Sequence, residues 1–220
     1  LDTDSSLSLT SESSAIIRSL AIGVAGSGST AVQVSALGNA VANTVRAAIS
    51  GGSTVRADGD VTLSAKDIAP SLIPDWIVSA DRADDYTSAV DGTPVDLDAN
   101  ILSMMVSVAA SGSVGVNVVF VGNVITNRVE AEISGSTVHS TAGKVDLDAQ
   151  SKAGIIALTV GVAGSGTVAV NATAFGNVIT NSVEALIEGG STVTAGGLVD
   201  ISAEDMSTIR SLGISVAGSG

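Results

Sequence analysis

The residues best suited to chemistry lie between positions 68 and 94. Asp75, Trp76, Asp81, Arg82, Asp84, Asp85, Tyr86 and Asp91 gather there, including the chain's single Trp and single Tyr. Carboxylates beside aromatic rings are what a glycan site uses, with rings to stack on sugars and an acid pair to cleave the glycosidic bond. The same residues also make an acidic capping loop whose two rings close a small satellite core, and this second reading needs fewer assumptions. Asp96 and Asp98 form another grouping, as do Asp146 and Asp148. Residues two apart in a strand share a face, so two such strands side by side would gather four carboxylates, enough oxygen for calcium. Thr62 with Ser64, and Asp200 with Ser202, take the corresponding places elsewhere. Neither the nonapeptide GGxGxDxUx nor an EF-hand loop is present, so a solvated acidic face fits better. His139 is the only histidine and there is no cysteine. Neither a zinc site nor a histidine-based triad can be assembled within the chain. The Gly-Ser-Gly turns are not followed by the lysine of a phosphate loop and carry no GxGxxG fingerprint. The sequence therefore assigns no catalytic, cofactor-binding or metal-ligating residue, and predicts a protein that is not an enzyme.

These residues are positioned by a repeat. VAGSG at 24–28 returns as VAASG at 108–112 and again as VAGSG at 162–166 and 216–220. The last two steps are 54 residues each and the first is 84. Gly38-Asn39, Gly122-Asn123 and Gly176-Asn177 keep the same phase, as does STV at 53–55, 136–138 and 191–193. A fixed period of this size marks a solenoid or array, in which each unit buries its apolar face against its neighbours. One unit reads as three pieces. IALTVGVAGSGTVAVNATAFGN (156–177) is two apolar runs about a Gly-Ser-Gly turn, a hairpin or a solenoid corner. VITNSVEALIEGG and STVTAGGLVDISAED alternate with period two, as half-buried strands do. In the second unit one Gly is missing before STV and one residue is gained before Val145, a compensated slip that stacking would tolerate. Asn39, Asn123 and Asn177 share one phase, and Asn43, Asn127 and Asn181 another. Two asparagine columns at corners are expected, bonding copy to copy along the stack.

Composition agrees with strands. Hydrophobic residues make up 45% of the chain but aromatic ones only 2%, so the apolar mass is Val, Ala, Ile and Leu. Twenty-five glycines against three prolines suit many tight turns. The net charge of −13 and the absence of a basic cluster argue against nucleic acid and against an anionic membrane surface. Residues 101–127 and 153–183 carry no charge. Such a piece must be covered on both faces, or on one face by a neighbour. The run 155–182 is long enough to cross a membrane as a helix, but its glycines, polar residues and alternation argue for strands.

The segments are then 1–17, the end of a preceding repeat; 18–67, repeat 1; 68–94, a non-repeat insertion; and 95–155, repeat 2 with an extra leading strand. They continue with 156–209, repeat 3, and 210–220, the start of a further repeat. A chain that starts and stops within the pattern predicts a segment of a longer protein. The unit VAGSGTVAVNATAFGNVITNSVEALIEGGSTVTAGGLVDISAED resembles repeats of very large bacterial surface proteins, the filamentous-haemagglutinin-like and leukotoxin-like filamentous adhesins. The resemblance covers nearly the whole chain except 68–94. It implies a β-solenoid, secreted to the extracellular space or held at the bacterial cell surface, serving as stalk, adhesin or fibre. The expected fold is an all-β, elongated, right-handed solenoid. Two to three coils per unit would give a rod of about 40–55 Å. Expected partners are other copies, end to end or side by side, and surface glycans of host or neighbouring cells. Calcium on the aspartate pairs is the one cofactor considered.

Overall fold

The computed structural model describes residues 1–72 and 97–220. The candidate glycan residues from Asp75 to Asp91, and Asp96, lie outside the described residues. Among the described residues every regular element is a strand. The first pass contains β1 (Asp2–Thr3), β2 (Leu7–Ser13), β3 (Ile17–Ser27) and β4 (Thr30–Ile49). The second contains β5 (Thr54–Ala57), β6 (Val61–Ile68), β7 (Ile101–Ser111) and β8 (Val114–Ser134). The third contains β9 (Thr137–Ser140), β10 (Val145–Lys152), β11 (Gly154–Ser165), β12 (Val168–Ile179) and β13 (Ser182–Glu188). β14 (Thr192–Ala195), β15 (Val199–Asp205) and β16 (Thr208–Ser219) follow.

Each pass contributes to the same four sheets. β1-β5-β9-β14 form a short sheet, β2-β6-β10-β15 an acidic sheet, and β3-β7-β11-β16 an arm sheet. In the fourth, the long sheet, β8 pairs with β4 on one side and with β12 and β13 on the other. All these pairings are parallel. Stacked parallel sheets of this kind are consistent with a β-helix or solenoid. β3 and β4 do not pair with each other, so the Gly-Ser-Gly turn between them is a corner between sheets.

The register reproduces the period of the sequence. Leu9 lies beside Leu63, Leu63 beside Leu147, and Leu147 beside Ile201. Neighbouring residues are therefore one 54-residue unit apart, or one 84-residue step where the insertion intervenes. This corrects the expected two to three coils. One unit supplies one layer, because β4 and β8 run unbroken for 20 and 21 residues and use up the length of the unit. Four layers spaced at ~4.8 Å make a stack only ~15 Å deep between its outer strands. The slip around STV is absorbed as expected. Thr54 pairs with Thr137 and Thr137 with Thr192, while Val61, Val145 and Val199 keep the original phase. The corner before STV is made by Gly51 and Gly52, by Gly135 alone, and by Gly189 and Gly190, all at positive φ between 57° and 74°. Glycine is needed there because a side chain would be strained in that conformation.

The interior divides into two regions. In the lobe, the second half of the long sheet, the short sheet and the acidic sheet turn Val45, Ile49, Leu63, Val129, Ile133 and Leu147 into one apolar cluster. Beyond it the arm sheet and the first half of the long sheet run out together to the Gly-Ser-Gly corners. These corners stack so closely that a Cβ on Gly112 would lie 2.1 Å from the carbonyl oxygen of Gly28. The insertion leaves and returns at the lobe–arm boundary. Leu72 N donates to Leu97 O at 3.1 Å and Ala99 N to Pro70 O at 3.0 Å, beside an antiparallel bridge between Ser71 and Asp98. Over 97–99 this bridge stands where a leading strand is expected. The buried Asn100 then joins the flanking layers, donating to Ala15 O at 2.9 Å and accepting from Gly154 N at 3.0 Å.

Candidate functional site

The expected cluster of four carboxylates does not form. β10 is flanked by β6 and β15, so Asp98 does not join Asp146 and Asp148. These three aspartates each face a lysine instead: Asp98 meets Lys152 at 2.8 Å, Asp146 meets Lys144 at 2.6 Å, and Asp148 meets Lys66 at 3.2 Å. Part-exposed pairs such as these contribute little to stability. They do offset three of the carboxylates that the sequence offers to calcium. Among the described residues no group of three or more His, Asp or Glu side chains converges. His139 stands in β9 between Arg56 and Thr194 of the adjoining layers.

The asparagine columns form, but not at corners. Asn39, Asn123 and Asn177 sit within β4, β8 and β12 and point between the two sheets of the arm. The Asn39 amide donates to Asn123 Oδ1 at 2.9 Å, and the Asn123 amide to Asn177 Oδ1 at 2.7 Å. Across the gap, Ser103 Oγ donates to Asn123 Oδ1 at 2.6 Å and the Asn177 amide to Ser211 Oγ at 2.7 Å. No described residue other than glycine has positive φ, so left-handed turns play no part in these asparagines. Their amides are satisfied layer to layer, as buried polar groups must be. A further amide column, Gln33, Asn117 and Asn171, lies nearer the tip. Ser107 Oγ donates to Asn117 Oδ1 at 2.6 Å, and the Asn117 amide donates to Asn171 Oδ1 at 3.0 Å. Room for these side chains comes from the facing strand. A Cβ on Gly23 would stand 2.3 Å from Gln33 Nε2, and one on Gly161 would stand 2.8 Å from Asn171.

At the lobe–arm boundary the remaining column meets a buried acid. Asp67 is fully buried, and accepts from the Asn43 amide at 3.3 Å and the Asn127 amide at 2.6 Å. Burial pushes its carboxyl above the usual carboxylate range, while hydrogen bonds from Asn43, Ser13 and Asn127 pull it back. In the next layers Ser151 and then Asp205 take its place. On the outward side of the lobe, Arg46 meets Glu132 at 2.5 Å, and Arg128 pairs with Glu130 and, at 3.4 Å, with Glu184. The hydrogen bond from Arg46 holds the Glu132 carboxyl below its ordinary range.

Serine, asparagine and glycine share the inside of the arm with a small apolar cluster of Met105, Val119, Val121 and Ala157, and many of the larger aliphatic residues face outward. Met104, Phe120 and Val124 belong to inner layers of the stack and are still 37%, 49% and 42% exposed. Leu20, Ile22 and Val24 on the arm sheet, and Val32, Val34, Val168 and Val170 on the long sheet, are exposed on the same two faces. Aliphatic residues fill the interior of the lobe, whereas in the arm they divide between a small inner cluster around Met105, Val119 and Val121 and the two outer faces. Alternation alone does not reveal which phase points inward. The signal that was available is the single amide in each apolar run, as in Val116-Asn117-Val118. Among the described residues no helix is long and apolar enough to cross a membrane.

Comparison with known proteins finds no matching family model, no matching curated protein and no matching solved structure. The site therefore rests on its own geometry: an arm with satisfied amides inside and two apolar faces outside, mounted on a charged lobe.

Proposed function

We propose that this chain is a non-enzymatic structural segment of a large extracellular bacterial repeat protein, a rigid stalk or fibre element built as a right-handed solenoid. Right-handedness follows the general rule for parallel strands joined by crossovers. The observation that carries the reading is the in-register stacking of like residues one repeat apart, as in Asn123 on Asn177 and Val145 on Val199. A stack of this kind grows by adding layers, and its stability is a sum over units and the contacts between them. Its end strands keep unpaired edges, which suits continuation by further repeats or end-to-end docking of copies. The bacterial-surface setting rests on the resemblance of the repeats to filamentous adhesins. Electron microscopy of the native material tests the reading. Rods or fibres of uniform width are the expected result, and compact particles without a long axis would overturn it.

A further inference from the structure

We infer that the two outer faces of the arm are contact surfaces for a second copy of this chain, packing arm against arm. This deepens the structural reading above by naming the surface and its occupant. On the arm sheet, successive layers place Leu20, Met104, Leu158 and Leu212 in one outward row. Ile22, Val106, Val160 and Ile214 form the next. The opposite face of the arm carries outward valines of β4, β8 and β12, together with Phe120. No charged residue occurs in 19–45, 101–127 or 153–183, which contribute most of both faces. The net charge of −13 is carried elsewhere, so copies can approach arm to arm with their acidic lobes held apart.

The dimensions favour a repeating partner. Four strands at ~4.8 Å and seven residues at ~3.3 Å give the arm sheet an apolar face of roughly 400 Å², and the long sheet offers about as much. One such contact buries roughly 800 Å² in total, below the ~1,200–2,000 Å² of a stable interface. Each added repeat widens both faces by roughly 100 Å². Contact between long stacks therefore reaches the stable range where contact between short ones does not. A lipid surface fits less well. The sheets are not closed, so unpaired backbone at the outer edges of β3 and β16 would enter hydrocarbon.

The test compares the chain with a tandem form carrying four further copies of 156–209, using sedimentation velocity across a concentration series. The chain itself should associate weakly and the tandem form much more tightly. Leu158→Glu with Val170→Glu, charging both faces in each copied unit, should weaken association roughly tenfold or more, since an unpaired charge in the contact costs well over ~1.4 kcal/mol. Far-UV circular dichroism checks that the variant keeps its strands. A tandem form that stays monomeric, association that survives both charges, or co-sedimentation with phosphatidylcholine vesicles in preference to self-association would each overturn the inference. A monomeric tandem form that is nonetheless rod-shaped would leave the stalk reading standing.

Discussion

The lobe and the arm are built from the same strands of the same repeat, yet they solve opposite problems. In the lobe, three sheet segments surround Leu63, Val129, Ile133 and Leu147, while Arg46, Arg128, Glu130 and Glu132 form ion pairs outside. In the arm, only two sheets face each other, and the gap between them is lined by Asn, Ser, Thr and Gly around one small apolar cluster of Met105, Val119, Val121 and Ala157. Many of its larger aliphatics face out. The difference teaches that three walls can enclose a large aliphatic core, whereas two walls carrying two amides per layer are joined by hydrogen bonds around a small apolar cluster. The lobe supplies stability by burial. The arm supplies geometry, and offers surface.

Breaking the lobe should cost most. Leu147→Ala removes a fully buried side chain and is expected to destabilise by about 2–5 kcal/mol. The same change at the outward-facing Leu158 should stay within about 1 kcal/mol. Denaturant melts of the two variants measure the contrast directly, and equal losses would mean that Leu158 does not face outward. Next comes the amide column. Asn123→Ala takes an acceptor from the Asn39 amide and from Ser103, and a donor from Asn177 Oδ1. A loss of about 1–3 kcal/mol is expected from the same melts.

Asp67 sharpens the boundary between the two regions. A carboxyl whose folded pKa is raised holds its proton more tightly in the fold than in the unfolded chain. Its contribution is greatest below the ordinary value of 3.8 and is lost as pH rises through the raised folded value. Glu132 acts in the opposite sense, its contribution being present above 4.5 and lost as pH falls through its lowered value. Asp67→Ser, which copies Ser151 of the following layer, should remove the decline toward neutral pH and leave the acid-side loss from Glu132. Thermal melts from pH 3 to pH 7 would read this, and an unchanged profile would contradict it. The smallest effect on the fold is expected from replacing 73–96 with a two-residue turn. The hydrogen bonds of Leu72 with Leu97 and of Pro70 with Ala99 already tie the insertion's ends together. Cooperative unfolding should survive the replacement, and any glycan binding that belongs to Trp76, Asp84 and Asp85 should vanish with it.

Much of this was legible in the chain. The period, the glycine corners and the compensated slip before STV are all properties of register, and register is what a repeat records. Less legible was anything that depends on which phase of an alternation faces inward. The asparagines read as corner residues because Asn is common in turns, whereas here Ser19, Ser103 and Ser211 stand opposite them and give them partners. Asn100 occurs once in its column, so the repeat gave no hint of it, and Asp67 alternates with serine in a column that reads Ser13, Asp67, Ser151, Asp205. The number of layers per unit was less legible because it depends on strand length, and β4 and β8 run for 20 and 21 residues.

The layer rule is the claim most open to direct measurement. Small-angle X-ray scattering of the chain and of the tandem form with four added copies of 156–209, both at dilutions where they are monomeric, gives the change in particle thickness along the stack from the fitted shapes. One layer per unit predicts a lengthening of about 19 Å, four steps of ~4.8 Å. A lengthening of about 40–60 Å would mean two to three coils per unit, and would contradict the register on which the arm, its amide columns and its two apolar faces depend.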